Sequence, residues 1–113
     1  MHQAHMTQWA DYIITCVNMT AAGDKIATVG VYAGDKLGTR TPRATWHRSQ
    51  VVKKLGEDKK PGQKYTFVTA IKEGGTWKKG AAVKRYAVNG EWFIKTKAND
   101  KAKDNLGSLP ECS

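Results

Sequence analysis

The sequence predicts a small α+β domain, one helix on an antiparallel sheet of about five strands in the order β-β-α-β-β-β. Three observations carry that prediction. Runs rich in Ile, Val, Thr and Tyr recur between Gly-rich punctuation, as short strands require. A single segment near the middle has helical spacing, and Asn89-Gly90 between two apolar runs is a strong hairpin signal. A length of 113 residues supports one domain.

The elements follow in order. Residues 1–9 read as a poorly ordered leader, and residues 10–113 as the domain. Asp11 to Met19 forms a first strand, Ala21-Ala22-Gly23-Asp24 a turn, and Lys25 to Tyr32 a second strand. Gly34 to Thr45, with two glycines, a proline and no periodicity, is a loop long enough to suspect function. Trp46 to Leu55 is the helix. Ser49 caps it or stands in its first turn, Val51, Val52 and Leu55 share a face, and Gly56 ends it. Glu57 to Gln63 is a charged turn, Tyr65 to Lys72 a strand closed by Glu73-Gly74-Gly75, and Ala81–Val88 with Glu91–Lys97 the last hairpin.

Composition excludes several classes. At 40% hydrophobic and 26% charged, the chain is too apolar for a disordered tail. No apolar run approaches a membrane span of about 20 residues, and the first six residues lack the pattern of a secretion signal. The net charge of +9 is unevenly spread: residues 1–39 hold two bases against three acids, residues 40–113 hold 17 bases against seven. Such a basic surface concentrates polyanions near itself. Cys16 and Cys112 are enough for one bridge. Cys16 lies in an apolar run, however, where a free thiol packs as a small hydrophobe, so a reduced, cytoplasmic protein is the simpler expectation.

No catalytic constellation stands out. Two of the three histidines fall in the leader, and His47 is expected to face solvent. There is no nucleophile elbow, phosphate loop, dinucleotide fingerprint or zinc spacing. The expectation is a non-enzymatic module with no cofactor and no metal.

The last hairpin is the most informative element. A two-residue turn sets Val88 opposite Glu91, so one face carries Val83, Arg85, Ala87, Trp92, Ile94 and Thr96 and meets the helix. The other carries Lys84, Tyr86, Phe93, Lys95 and Lys97. Rings beside ammonium groups are what single-strand binders use, bases stacking while lysines meet phosphates. Arg85 of the same hairpin joins the candidate binding set, and Arg40, Arg43, Arg48 and Trp77 add guanidinium and aromatic groups on loops. Trp92 is expected in the core and Trp77 exposed.

Tyr12-Ile13-Ile14-Thr15-Cys16-Val17, Trp46-x-Arg48-Ser49-x-Val51-Val52, Val88-Asn89-Gly90-Glu91-Trp92-Phe93-Ile94-Lys95-Thr96 and Asp104-Asn105-Leu106-Gly107-Ser108-Leu109-Pro110 occur in that order. Together they resemble a small prokaryotic family of unknown function, numbered 3892, over about residues 10–111. The resemblance implies that Leu106 and Leu109 dock the C-terminus on the core. It implies no activity. The expected function is nucleic-acid or other polyanion binding through the Lys/aromatic face, by a monomer or homodimer with no membrane partner. The alternatives are an interaction or inhibitor module, of the kind phages and mobile elements encode, acting on an acidic protein partner, or a binder of an anionic nucleotide-like molecule using the loop at 34–48.

Overall fold

A computed structural model describes residues 9–23, 25–34, 42–96, 106 and 109–112. Eight strands and one helix follow in order: β1 (Tyr12–Met19), β2 (Ile26–Ala33), β3 (Ala44–His47), α1 (Arg48–Leu55), β4 (Asp58–Lys60), β5 (Gln63–Lys64), β6 (Phe67–Glu73), β7 (Thr76–Val88) and β8 (Glu91–Lys95). The main sheet has six strands in the order β3-β2-β1-β6-β7-β8. It is mixed rather than antiparallel, because β1 and β6 run parallel, pairing Tyr12 with Phe67 and Ile14 with Thr69. Parallel neighbours need a crossover, and the segment from β3 through α1 and the small β4-β5 hairpin provides it.

The predicted loop from Gly34 to Thr45 therefore ends in a strand, β3, which adds to the edge of β2. That strand also claims Trp46 and shortens the helix, which starts at Arg48. His47, exposed as expected, takes the N-cap position in place of Ser49, and its backbone N–H donates to Gln50 Oε1 at 2.8 Å. At the other end, Gly56 serves a purpose besides stopping the helix. A Cβ there would collide with the Arg85 guanidinium, which packs on the last turn. The predicted charged turn is a hairpin, with Gly62 at φ 79° after Pro61 and a Lys64–Asp58 ion pair at 2.9 Å.

The main core lies between the helix and one face of the sheet. Val51 of α1 meets Ile14, Val29, Val31, Phe67, Val83 and Ile94, with Leu106 buried beside them and Leu109 packed against the cluster. Rings of Tyr12, Trp46 and Phe67 join it, centroids 4.9–5.8 Å apart. The opposite face carries a smaller cluster of Ala10, Ile13, Val68 and Ala70, with Trp9, Tyr32 and Trp77 against it. Lys25, just before β2, pairs with Glu91 of β8 although three strands separate β2 and β8 in the sheet. The sheet thus curls around the helix.

The cysteines are bridged, not free. Cys16 and Cys112 form a disulfide across a sequence separation of 96. Val17 N–H donates to the Pro110 carbonyl at 3.0 Å and Cys112 N–H to the Val17 carbonyl at 3.1 Å, so the C-terminal segment lies beside β1 like a short strand. The expectation of a reduced protein rested on Cys16 burial and on the return to this strand that Cys112 would need, and the C-terminal segment makes that return. A disulfide fits an oxidising compartment, and the cytoplasmic expectation loses the free-thiol argument on which it rested. No helix among the described residues is long and apolar enough to cross a membrane.

Asp11 locks the start of the parallel pair. Its carboxylate accepts from the Thr66 N–H at 2.9 Å, the Thr66 hydroxyl at 3.1 Å and Lys59 at 2.6 Å. Desolvation pushes this carboxyl up, but the Lys59 ammonium and the Thr66 donors outweigh it and hold the group below the ordinary 3.8. A folded value lower than the unfolded one adds stability that is complete above about pH 5 and lost as pH falls through the folded value. The Asp11→Asn variant is expected to lose about 1–2 kcal/mol at pH 7 and to show a flatter acid limb. Urea titrations between pH 7 and pH 2 check both, and an unchanged acid limb would contradict the assignment.

Candidate nucleic-acid interface

The last hairpin has the register the sequence predicts: Val88 opposes Glu91, Tyr86 opposes Phe93 and Lys84 opposes Lys95, around Asn89 and Gly90 at φ 53° and 82°. The expected helix-facing residues Val83 and Ile94 enter the core, and Arg85 reaches the helix end. The Lys/aromatic face is not the open platform expected. Phe93 is 1% exposed and Lys95 0%. Three cations already face the Phe93 ring: Arg48 at 5.4 Å, Lys25 at 5.7 Å and Lys95 at 5.8 Å. A ring so occupied has no free face for a base. The curl of the sheet is the cause, since it brings the start of β2 and the helix N-terminus onto β8.

The remaining residues separate. Lys84 is exposed and Tyr86 half-buried. Arg85 stacks on Trp92 at 4.1 Å and donates to the Val52 carbonyl at 3.5 Å. With Lys64, which reaches the Gly56 carbonyl, it serves the helix C-terminus, whose carbonyls favour cations. Trp92, expected in the core, is 41% exposed and lies under this guanidinium. Arg48 is committed to Phe93 and to the Trp92 carbonyl. Arg40 and Lys97 lie outside the described residues.

The structure assembles a different basic element. β6 pairs with β1 only through Thr69, and β7 pairs with β8 only from Lys84 onward. Between those limits, Ala70 to Glu73 and Thr76 to Lys79 pair with one another and, among the described residues, with no other strand, forming a two-stranded ribbon closed by Gly74 and Gly75, both at positive φ. A bulge at Gly80-Ala81 bends the ribbon from the rest of β7, with Ala81 N–H donating to Thr69 Oγ1 at 3.1 Å. A Cβ on Gly80 would strike that hydroxyl. The C-terminal segment lies beside Val17, the part of β1 that β6 leaves unpaired.

Pairing sets the faces of the ribbon. Lys72 lies opposite Trp77 and Lys79 opposite Ala70 on one face, with Lys78 and Ile71 on the other. Lys72, Lys78 and Lys79 are all exposed. Trp77, expected exposed, is half-buried because it packs edge-on to Tyr32 at 6.4 Å, with Lys72 at 5.8 Å from its ring. Beside them is a hollow of about 560 Å³ lined by Tyr32, Arg43, Lys72, Trp77, Cys16 and Glu111, among others. Arg43 crosses β2 at Gly30, where a Cβ would strike both its side chain and the Cys16 sulfur. The structure thus unites Arg43 and Trp77 of the predicted set and adds Lys72, Lys78 and Lys79, which the sequence reading passed over. The Glu73-Gly74-Gly75 turn was their signal: two lysines follow Trp77 directly after it.

The described residues thus form one small domain, a curled mixed sheet around one helix with a basic ribbon at the β6–β7 end. The chain belongs to the family described as protein of unknown function (DUF3892), whose family model matches residues 13–110. No curated protein and no solved structure matches it. Among the described residues, no group of three His, Cys, Asp or Glu side chains could hold a metal ion.

Proposed function

We propose that the protein is a non-enzymatic module that binds nucleic acid along the phosphate backbone through the β6–β7 ribbon. The observation that carries this is the ribbon itself: ten residues, 70–79, beyond the reach of the β1–β6 and β7–β8 pairings, with three exposed lysines and a tryptophan. Lysines spaced along a two-stranded ribbon reach successive phosphates of a strand laid against it. Arg43 at the base of the ribbon extends the same charge. What supports the reading is the cations and aromatic rings that the ribbon and its base bring together.

Neutralising three to four phosphates of a single strand gives a slope of log K against log salt between about −2 and −3. Replacing Lys78 and Lys79 together with alanine is expected to weaken binding and reduce that slope by about 1.5. Fluorescence anisotropy with labelled oligonucleotides across a salt series reads both. A flat salt response, or a slope unaffected by the double substitution, would overturn the reading. Salt-dependent binding to an acidic polypeptide, with none to oligonucleotides, would assign the ribbon to an acidic protein partner instead.

A further inference from the structure

We infer that the hollow at the base of the ribbon is a nucleobase subsite, which makes the ligand a single strand rather than a duplex. The inference rests on the nucleic-acid reading above and specifies what its site accepts. Three features of the hollow support it. Its volume of about 560 Å³ is in the range of small-molecule sites. Its wall holds two aromatic rings, Trp77 and Tyr32, set at 62° to one another, so they do not stack on each other. Its cations, Lys72 and Arg43, stand beside the rings as a nucleotide requires, the base on an aromatic face and the phosphate on a charge.

The arrangement is rigid where it matters. Trp77 is held against the buried Ala70–Val68 cluster, and Arg43 lies across Gly30 against the bridged Cys16. A base stacked within a duplex cannot enter a concave site, whereas a single strand turns its bases outward at low cost.

The test compares a single-stranded 12-mer with an abasic strand of the same length and phosphate count, on the disulfide-intact full chain. The base-bearing strand is expected to bind more tightly by about 5- to 150-fold, the range for stacking one base. The Trp77→Ala variant should lose that preference, the base-bearing strand weakening more than the abasic one. The Trp77→Phe variant, which keeps an aromatic face and the packing on Tyr32, should retain most of it and covers the case in which Trp77→Ala fails to fold. Equal affinity of the wild-type protein for the two strands, or equal weakening of both by the substitution, would overturn the base subsite and leave the ribbon reading standing. Failure to bind any strand overturns both.

Discussion

Reducing the Cys16–Cys112 bridge is expected to lower the stability of the domain by about 3–5 kcal/mol, a large share of the 5–15 kcal/mol typical of such domains. The bridge spans 96 residues of sequence, and closing so long a loop removes much of the entropy of the unfolded chain. The native state also loses an anchor. With the bridge broken, what holds the described part of the C-terminal segment is two backbone hydrogen bonds at Val17 and the packing of Leu106 and Leu109 on the main core. Urea unfolding with and without reductant measures the difference, and a Cys112→Ser variant gives the same quantity without a reducing agent. Coincident midpoints in all three would mean that the bridge constrains nothing.

The Phe67→Ala variant is expected to lose about 3–5 kcal/mol, the usual cost of emptying a buried ring site. Phe67 is 1% exposed and stands where the two halves of the sheet join. Its backbone pairs with Tyr12 on one side and Val83 on the other, and its ring stacks on Tyr12 at 5.0 Å and meets Trp46 edge-on at 5.8 Å. The side chain therefore connects β1, β3, β6 and β7 at one point. Collapse around the vacancy is limited, since the neighbouring rings are fixed on separate strands. Phe67→Leu refills most of the volume and should cost markedly less. Denaturant unfolding of both variants is the measurement, and similar small losses would mean that the junction repacks freely.

Local features were legible. Asn89-Gly90 set the turn, and pair by pair the hairpin register follows from it, because only a residue tolerant of positive φ makes that turn. The Ile, Val, Thr and Tyr content of Tyr12–Val17 and the spacing of Val51, Val52 and Leu55 likewise read correctly as strand and helix. Docking of Leu106 and Leu109 followed from the family resemblance rather than from pattern. What failed was the environment of each face. Register shows that Phe93 and Lys95 share a side, yet their burial depends on a curl that brings Lys25 and Arg48, distant in sequence, onto the ring.

The same division applies to the site. Three lysines and a tryptophan around Glu73-Gly74-Gly75 are plain in the sequence, but that the ribbon leaves the sheet after Thr69 is not. It depends on how far the parallel β1–β6 pairing extends and on the C-terminal segment lying beside Val17. The sequence by itself determined the local elements, the hairpin register and the excess of positive charge, since each arises from backbone preferences and composition within a few residues. Tertiary structure alone decided the mixed sheet, the disulfide, the burial of the expected Lys/aromatic face and the union of Arg43 with Trp77. Those depend on contacts between residues tens of positions apart, whose packing outweighs any local preference.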